Sequence, residues 1–156
     1  MPALESPWLR VHVAAAALAA GLFLTGFVVT VLYLLRRRHD DSDQPAGLGA
    51  SLPPADRLDR LAARLHTVAF PVWTFAIISG AIWAESAWGR YWGWDPKETW
   101  AFISWVLYAA YLHARTTAGW RGRTAALLVC VAWASMLINI FAVNLLTSGL
   151  HSYAGL

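Results

Sequence analysis

The chain is 156 residues long, 58% hydrophobic and 13% charged, with a formal net charge of +3. Soluble domains average about 45–50% apolar and about 25% charged residues, so this composition excludes an ordinary soluble globule and a disordered chain alike. A single cysteine, Cys130, excludes an internal disulfide framework and a cysteine-built metal cluster. The basic residues punctuate apolar runs instead of forming a patch, which argues for a membrane and against nucleic acid as a partner.

Residues 11–35 carry no charge apart from what His12 can bear, enough for a first membrane-spanning helix at about 20 apolar residues per crossing. Arg36, Arg37 and Arg38 follow directly, a stop-transfer pattern rather than a cleaved signal, whose apolar core is only about 7–15 residues long. Residues 39–54 are polar and rich in turn formers and read as a flexible linker. Leu58, Leu61, Ala62 and Leu65 then recur at helical spacing, which predicts a short amphipathic helix lying on the inner membrane surface before the second span, 65–84. A shorter third span covers 99–114 and a fourth 125–146. No period-2 alternation with turn spacing is present, so the expectation is an all-α integral membrane protein with four transmembrane helices in one membrane domain.

Lys and Arg set the orientation. Segment 36–64 holds six Arg and segment 115–124 three, against Arg10, Arg90 and Lys97 on the other side. The Arg-rich segments therefore face the cytoplasm, and the N-terminus, the loop 85–98 and the tail 147–156 share the outer face.

Six of the ten Trp residues fall between Trp83 and Trp105. In the outer loop, Asp95 can cap the third helix, Pro96 suits its first position, and Glu98 three residues on completes a capping box. The aromatics Trp88, Tyr91, Trp92, Trp94 and Trp100, spaced by Gly89 and Gly93, suit a platform for a large planar apolar ligand; residue types alone leave an interfacial aromatic belt as the alternative. His12 and His151 lie on the same side as this loop. Two neutral imidazoles flanking an aromatic floor suit the two axial positions of a haem. Arg90 and Lys97 are near enough in sequence to neutralise its propionates. His113 lies 15 residues past Glu98, about 22 Å along a helix and near the inner end of the third span. An ionisable group in a span is a functional candidate, with snorkelling beside Arg115 as the alternative. Asn139 and Asn144 are expected to hydrogen-bond neighbouring helices and Cys130 to be inert packing. His39 and His66 receive no function.

The string Trp88-Gly-Arg-Tyr-Trp-Gly-Trp-Asp-Pro-Lys-Glu-Thr-Trp100 resembles the tryptophan-rich WWD motif of haem-handling membrane proteins. With Tyr111-Leu-His-Ala-Arg115, Gly149-Leu-His-Ser-Tyr153, Pro7-Trp8-Leu-Arg-Val-His12-Val and Ile78-Ser-Gly-Ala-Ile-Trp83-Ala, it resembles the CcsA/ResC family, the haem-channel subunit of the System II cytochrome c synthase. The resemblance implies that His12 and His151 ligate haem iron at the outer face. Trp88, Trp92, Trp94 and Asp95 would form the haem-binding loop, and His113 would take haem transiently on its way outward. It implies haem b as substrate, a ResB/CcsB-like membrane subunit and an apocytochrome c as partners, and a thioredoxin-like protein as a source of reduced thiols. The setting would be a bacterial cytoplasmic membrane, or a thylakoid. Two other readings stay open: a haem exporter or System I haem-handling subunit, and a structural membrane subunit without a ligand. Family members carry further helices before the segment resembling the start of this chain, so it is expected to correspond to their C-terminal half and not to act alone as a synthase.

Overall fold

The computed structural model describes residues 5–42 and 47–143. It is all-helical among these residues: α1 (Pro7–Asp40), a short 3-10 turn (Leu48–Ser51), α2 (Ala55–Trp88), α3 (Pro96–Thr117) and α4 (Arg123–Leu137), which runs on into a π-helical turn (Ile138–Ala142). Successive helices run in alternate directions, so the bundle has a Trp-rich end and an Arg-rich end. Three helical stretches, Pro7–Asp40, Ala55–Trp88 and Arg123–Ala142, are long and apolar enough to cross a membrane. The chain is thus a multi-pass membrane protein. α3 is the fourth member of the bundle; its 22 residues, about 33 Å of helix, begin with Lys97 and Glu98 and end beside Arg115.

The helices outrun the apolar segments that announce them. α1 does not stop at Leu35 but continues to Asp40, with Arg36 Nε bonded to Asp40 Oδ1 at 2.8 Å. The stretch from Ala55 is likewise no separate surface helix. It and the second span form one 34-residue helix, and Leu58 and Ala62 are buried in the bundle against Val29, Tyr33 and Ala126. Of the stripe read as membrane-facing, Leu58 and Ala62 belong to the protein's own core, while Leu61 is exposed. In the segment read as a flexible linker, Arg36 Nη1 donates to the Leu52 carbonyl at 2.8 Å, tying the described part to α1.

All four helices contribute to the main core: Phe23, Trp73, Tyr108, Trp133 and Met136 pack together, with Phe23 and Tyr108 stacked at 3.7 Å between ring centroids. Small residues let α1 and α2 approach closely, Ala15 and Ala19 against Ala69 and Ala76, as expected where packing rather than water exclusion holds helices together. At the Arg-rich end, Arg115 binds Asp59 through two parallel bonds of 2.8 Å, and Arg123 meets Asp41 at 2.6 Å.

Candidate functional site

At the Trp-rich end the four helices diverge around a cavity of about 380 Å³. α1 contributes His12, α2 Trp73, Gly80 and Trp83, the loop Tyr91 and Trp92, α3 Lys97 and Glu98, and the π turn Asn139 and Ile140. The walls are mainly apolar and aromatic, with a few polar groups from different elements, the usual make-up of a small-molecule site.

His12 is fixed by its backbone neighbours. Its Nδ1 lies 2.8 Å from the Ala76 carbonyl. A carbonyl only accepts, so Nδ1 carries the proton; in the neutral ring Nε2 then holds the lone pair, the arrangement by which ligating histidines are oriented. Gly80 makes room for the ring: a Cβ there would lie 2.7 Å from His12 Nδ1.

The loop is built around Glu98. Asp95 accepts from the Glu98 N–H at 2.8 Å, while Glu98 Oε2 accepts from Asp95 N at 3.2 Å, so the expected capping box is present. Glu98 reaches further, accepting from Gly93 N at 2.8 Å. One buried carboxylate thus sets both the start of α3 and the path of the chain between Trp92 and Trp94. Trp94 adopts φ +57, a left-handed conformation uncommon for a residue with a side chain. The glycines have intramolecular reasons. Gly89, at φ +70, ends α2 in the left-handed conformation, and the Arg90 guanidinium occupies the space a Cβ on Gly93 would need. Neither requires a ligand.

Of the residues singled out from sequence, His12, Tyr91, Trp92, Lys97, Glu98 and Asn139 meet at the cavity. Trp88, Arg90, Trp94 and Asp95 support it from outside: Trp88 packs edge-on against Trp83 at 4.9 Å, and Trp94 bridges Trp92 and Phe102 at 5.6 and 5.8 Å. His113 lies at the opposite end, exposed, with Nδ1 3.3 Å from Thr117 Oγ1. Arg115, two residues on, holds Asp59, and Asp59 lies 17 residues before Ala76 on α2, about 26 Å away. His151 lies outside the described residues, as does Asn144.

Trp83 and His66 carried no functional expectation, and Asn139 only that of bonding a neighbouring helix. Trp83 is almost wholly buried and lines the cavity. His66 is fully buried in the bundle, its ring centroid 5.3 Å from that of Tyr111 and 5.6 Å from that of Tyr108. The Gly26 backbone touches its ring, in no geometry that completes a hydrogen bond. Asn139 does not use its side-chain oxygen to tie helices together: Oδ1 is buried without a partner, and its main-chain carbonyl accepts from Lys97 Nζ at 3.3 Å. Two further orphans belong to the cavity lining, the indole N–H groups of Trp73 and Trp92. Burial pulls the Lys97 pKa down, with Asp95 opposing the shift.

Helices of membrane length and a histidine-bearing aromatic cavity at one end define the class: a multi-pass membrane protein with a pocket at one face of its bundle. Within that class, the chain belongs to the family of cytochrome c assembly proteins, whose profile matches residues 1–151. It is 35% identical over 205 residues to the cytochrome c biogenesis protein CcsA of Gloeobacter violaceus, covering 100% of this chain and 61% of the relative. It is 40% identical over 171 residues to CcsA of Guillardia theta, covering 100% and 57%. For CcsA of Synechococcus elongatus the figures are 37% over 194 residues, with 98% and 60% covered. The resemblance carried by the Trp-rich string therefore holds along the chain, which spans about three fifths of the length of these relatives.

Proposed function

We propose that the chain acts in cytochrome c biogenesis, binding haem b as a substrate in the cavity at the Trp-rich end and presenting it for thioether attachment to an apocytochrome c. The observation that carries this reading is His12: an imidazole set in the wall of an aromatic cavity with its Nδ1 proton committed to the Ala76 carbonyl, which in the neutral ring leaves the lone pair on Nε2. Trp83 and Trp92 line the cavity and offer aromatic surface to a flat macrocycle. His151 is assigned the second axial position and His113, at the far end, an earlier contact during haem intake. The excess of Arg at the other end supports a cavity on the non-cytoplasmic side of a bacterial or thylakoid membrane.

In this reading the protein binds, orients and shields, while the bond-forming chemistry belongs to the haem: each cysteine thiol adds across a vinyl group, sulfur to one carbon and hydrogen to the other. Glu98 holds the loop that aligns the macrocycle, and Gly80 keeps His12 at its depth. A ResB/CcsB-like subunit completes the complex, and a thioredoxin-like protein keeps the receiving cysteines reduced. The test is the absorption spectrum of the detergent-purified chain titrated with haemin. A six-coordinate low-spin spectrum that becomes high-spin in both His12→Ala and His151→Ala supports the reading. A wild-type chain that leaves the free-haemin spectrum unchanged refutes it.

A further inference from the structure

The outer surface of α2 and α3 carries a cation at a depth where the rest of the bundle is apolar. Two contacts between these helices fix the level: Asp59 binds Arg115, and His66 packs edge-on against Tyr111 at 5.3 Å. On α2, Arg64 falls between Asp59 and His66; on α3, His113 falls between Tyr111 and Arg115. The helices are antiparallel, so Arg64 and His113 stand at one level on neighbouring helices, and both are exposed.

His66 also sets this level against α1, because its ring lies against Gly26. Two residues nearer the Arg-rich end on each helix, Arg64 comes level with Val28. From Val28 to Leu35, about 10 Å of helix, the outward face of α1 stays apolar, with Val28 47% and Leu35 44% exposed. On α4, Leu127 is 60% exposed beside Ala126, which packs on Val29 and Tyr33. Arg64 and His113 therefore face outward well inside the level where the apolar surface of α1 ends. An ionisable side chain at such depth is costly against hydrocarbon and marks a ligand path or a partner.

Arg64 is not satisfied from within the protein. The described acids of that end are engaged: Asp40 by Arg36, Asp41 by Arg123, Asp56 by Arg60 and Asp59 by Arg115. Among the described residues, none bonds Arg64, and His113 meets Thr117 through Nδ1 alone. Arg57 is exposed too, but it comes level with Leu35, at the edge of the apolar zone, where water reaches it. Toward the Trp-rich end the pair borders a shallow surface of Thr67 and Val68 on α2 and Val106 and Ala110 on α3, all exposed.

We propose that Arg64 binds a haem propionate on this outer surface of α2 and α3, where His113 offers its imidazole to the iron. This rests on the haem reading above and adds the group that orients the macrocycle during intake. Adjacent helices lie about 8–10 Å apart, a separation that a porphyrin's iron and rim carboxylate can span. A guanidinium beside an imidazole supplies the two unlike contacts that such a ligand needs, a forked donor for the carboxylate and a lone pair for the metal.

The experiment uses the detergent-purified chain carrying His12→Ala and His151→Ala, which removes the outer ligands. It is titrated with haemin and with haemin dimethyl ester, and the Soret band is compared with that in empty micelles. Residual haemin binding that His113→Ala abolishes locates the surface. In that background Arg64→Met is expected to weaken haemin binding about tenfold or more, the effect of one charge-assisted bond, and to leave ester binding unchanged. Arg64→Lys, which keeps the charge without the fork, is expected to lose less, and Arg57→Met to change neither probe. Arg64 is exposed and unpaired, so Arg64→Met should unfold at the temperature of its parent, and unchanged ester binding reports an intact surface. Haemin binding equal in Arg64→Met and its parent overturns the inference. So does an equal loss of both probes, a loss as large in Arg57→Met, or no binding once the outer histidines are gone. Each of these leaves the haem reading standing where the unaltered chain binds haemin. An unaltered chain that leaves the free-haemin spectrum unchanged overturns the haem reading and this inference together.

Discussion

The two ends of the bundle handle buried polarity in opposite ways. At the Arg-rich end, Asp59 and Arg115 saturate each other through paired bonds, Arg115 lies 5.7 Å over the Tyr111 ring, and the space among Thr30, Tyr33, Tyr111 and Val129 amounts to about 10 Å³, room for one water at most. At the Trp-rich end the same helices leave about 380 Å³, and the charged groups on its wall, Lys97 and Glu98, bond to backbone groups. The difference teaches that the fold is fastened at one end and kept open at the other. Stability and ligand binding should therefore respond to different substitutions.

The largest expected effect lies at the fastened end. Asp59→Ala strands the Arg115 guanidinium in a mostly buried position and is expected to cost about 3–5 kcal/mol. Thermal unfolding in detergent reads this, and the haemin spectrum of the folded fraction should be unchanged; an altered spectrum would show that the two ends are coupled. At the open end, Gly80→Ala pushes a methyl group into His12 and is expected to cost about 1–3 kcal/mol, with loss of the low-spin spectrum as its distinguishing sign. Glu98→Ala removes the acceptor shared by Gly93 and Asp95, for about 1–3 kcal/mol. Release of the loop should shift tryptophan emission to longer wavelength. Asp95→Ala removes the cap bond to Glu98 N, about 0.5–2 kcal/mol, and should leave haemin binding nearly intact. If Asp95→Ala abolishes binding while the fold survives, Asp95 contacts the ligand and the boundary drawn here around the cavity is wrong.

What the sequence revealed follows from the range of each signal. Apolar runs and the Asp95-Pro96-Lys97-Glu98 cap are local, and they located the helices and the start of α3. Helix ends were less legible because a charged residue such as Arg36 or Arg38 leaves the membrane without leaving the helix. The amphipathic stripe at Leu58 and Ala62 was visible, but not whether lipid or protein covers it; only the pairing with Val29 and Tyr33 decides that. His66 had a signal: Leu58, Ala62, His66, Ala69, Trp73 and Ala76 recur every three or four residues and all are buried. The same spacing runs through Ala132, Ser135, Met136 and Asn139. Of the two loop glycines, Gly89 has a local reason, the left-handed end of α2, while that of Gly93 is a contact made in space, Arg90 packed over it. His113 stood out because it falls within a span, while the buried stripe that runs through His66 becomes meaningful only once its partners Tyr108 and Tyr111 are in place.

The central claim is that His12 supplies an iron ligand from the wall of the cavity. His12→Gly deletes the imidazole and leaves a space its size, which free imidazole in solution can enter. The account predicts that haemin bound to this variant is high-spin, and that added imidazole restores the low-spin spectrum at concentrations too low to convert haemin in empty micelles. A low-spin spectrum in His12→Gly without added imidazole would contradict it.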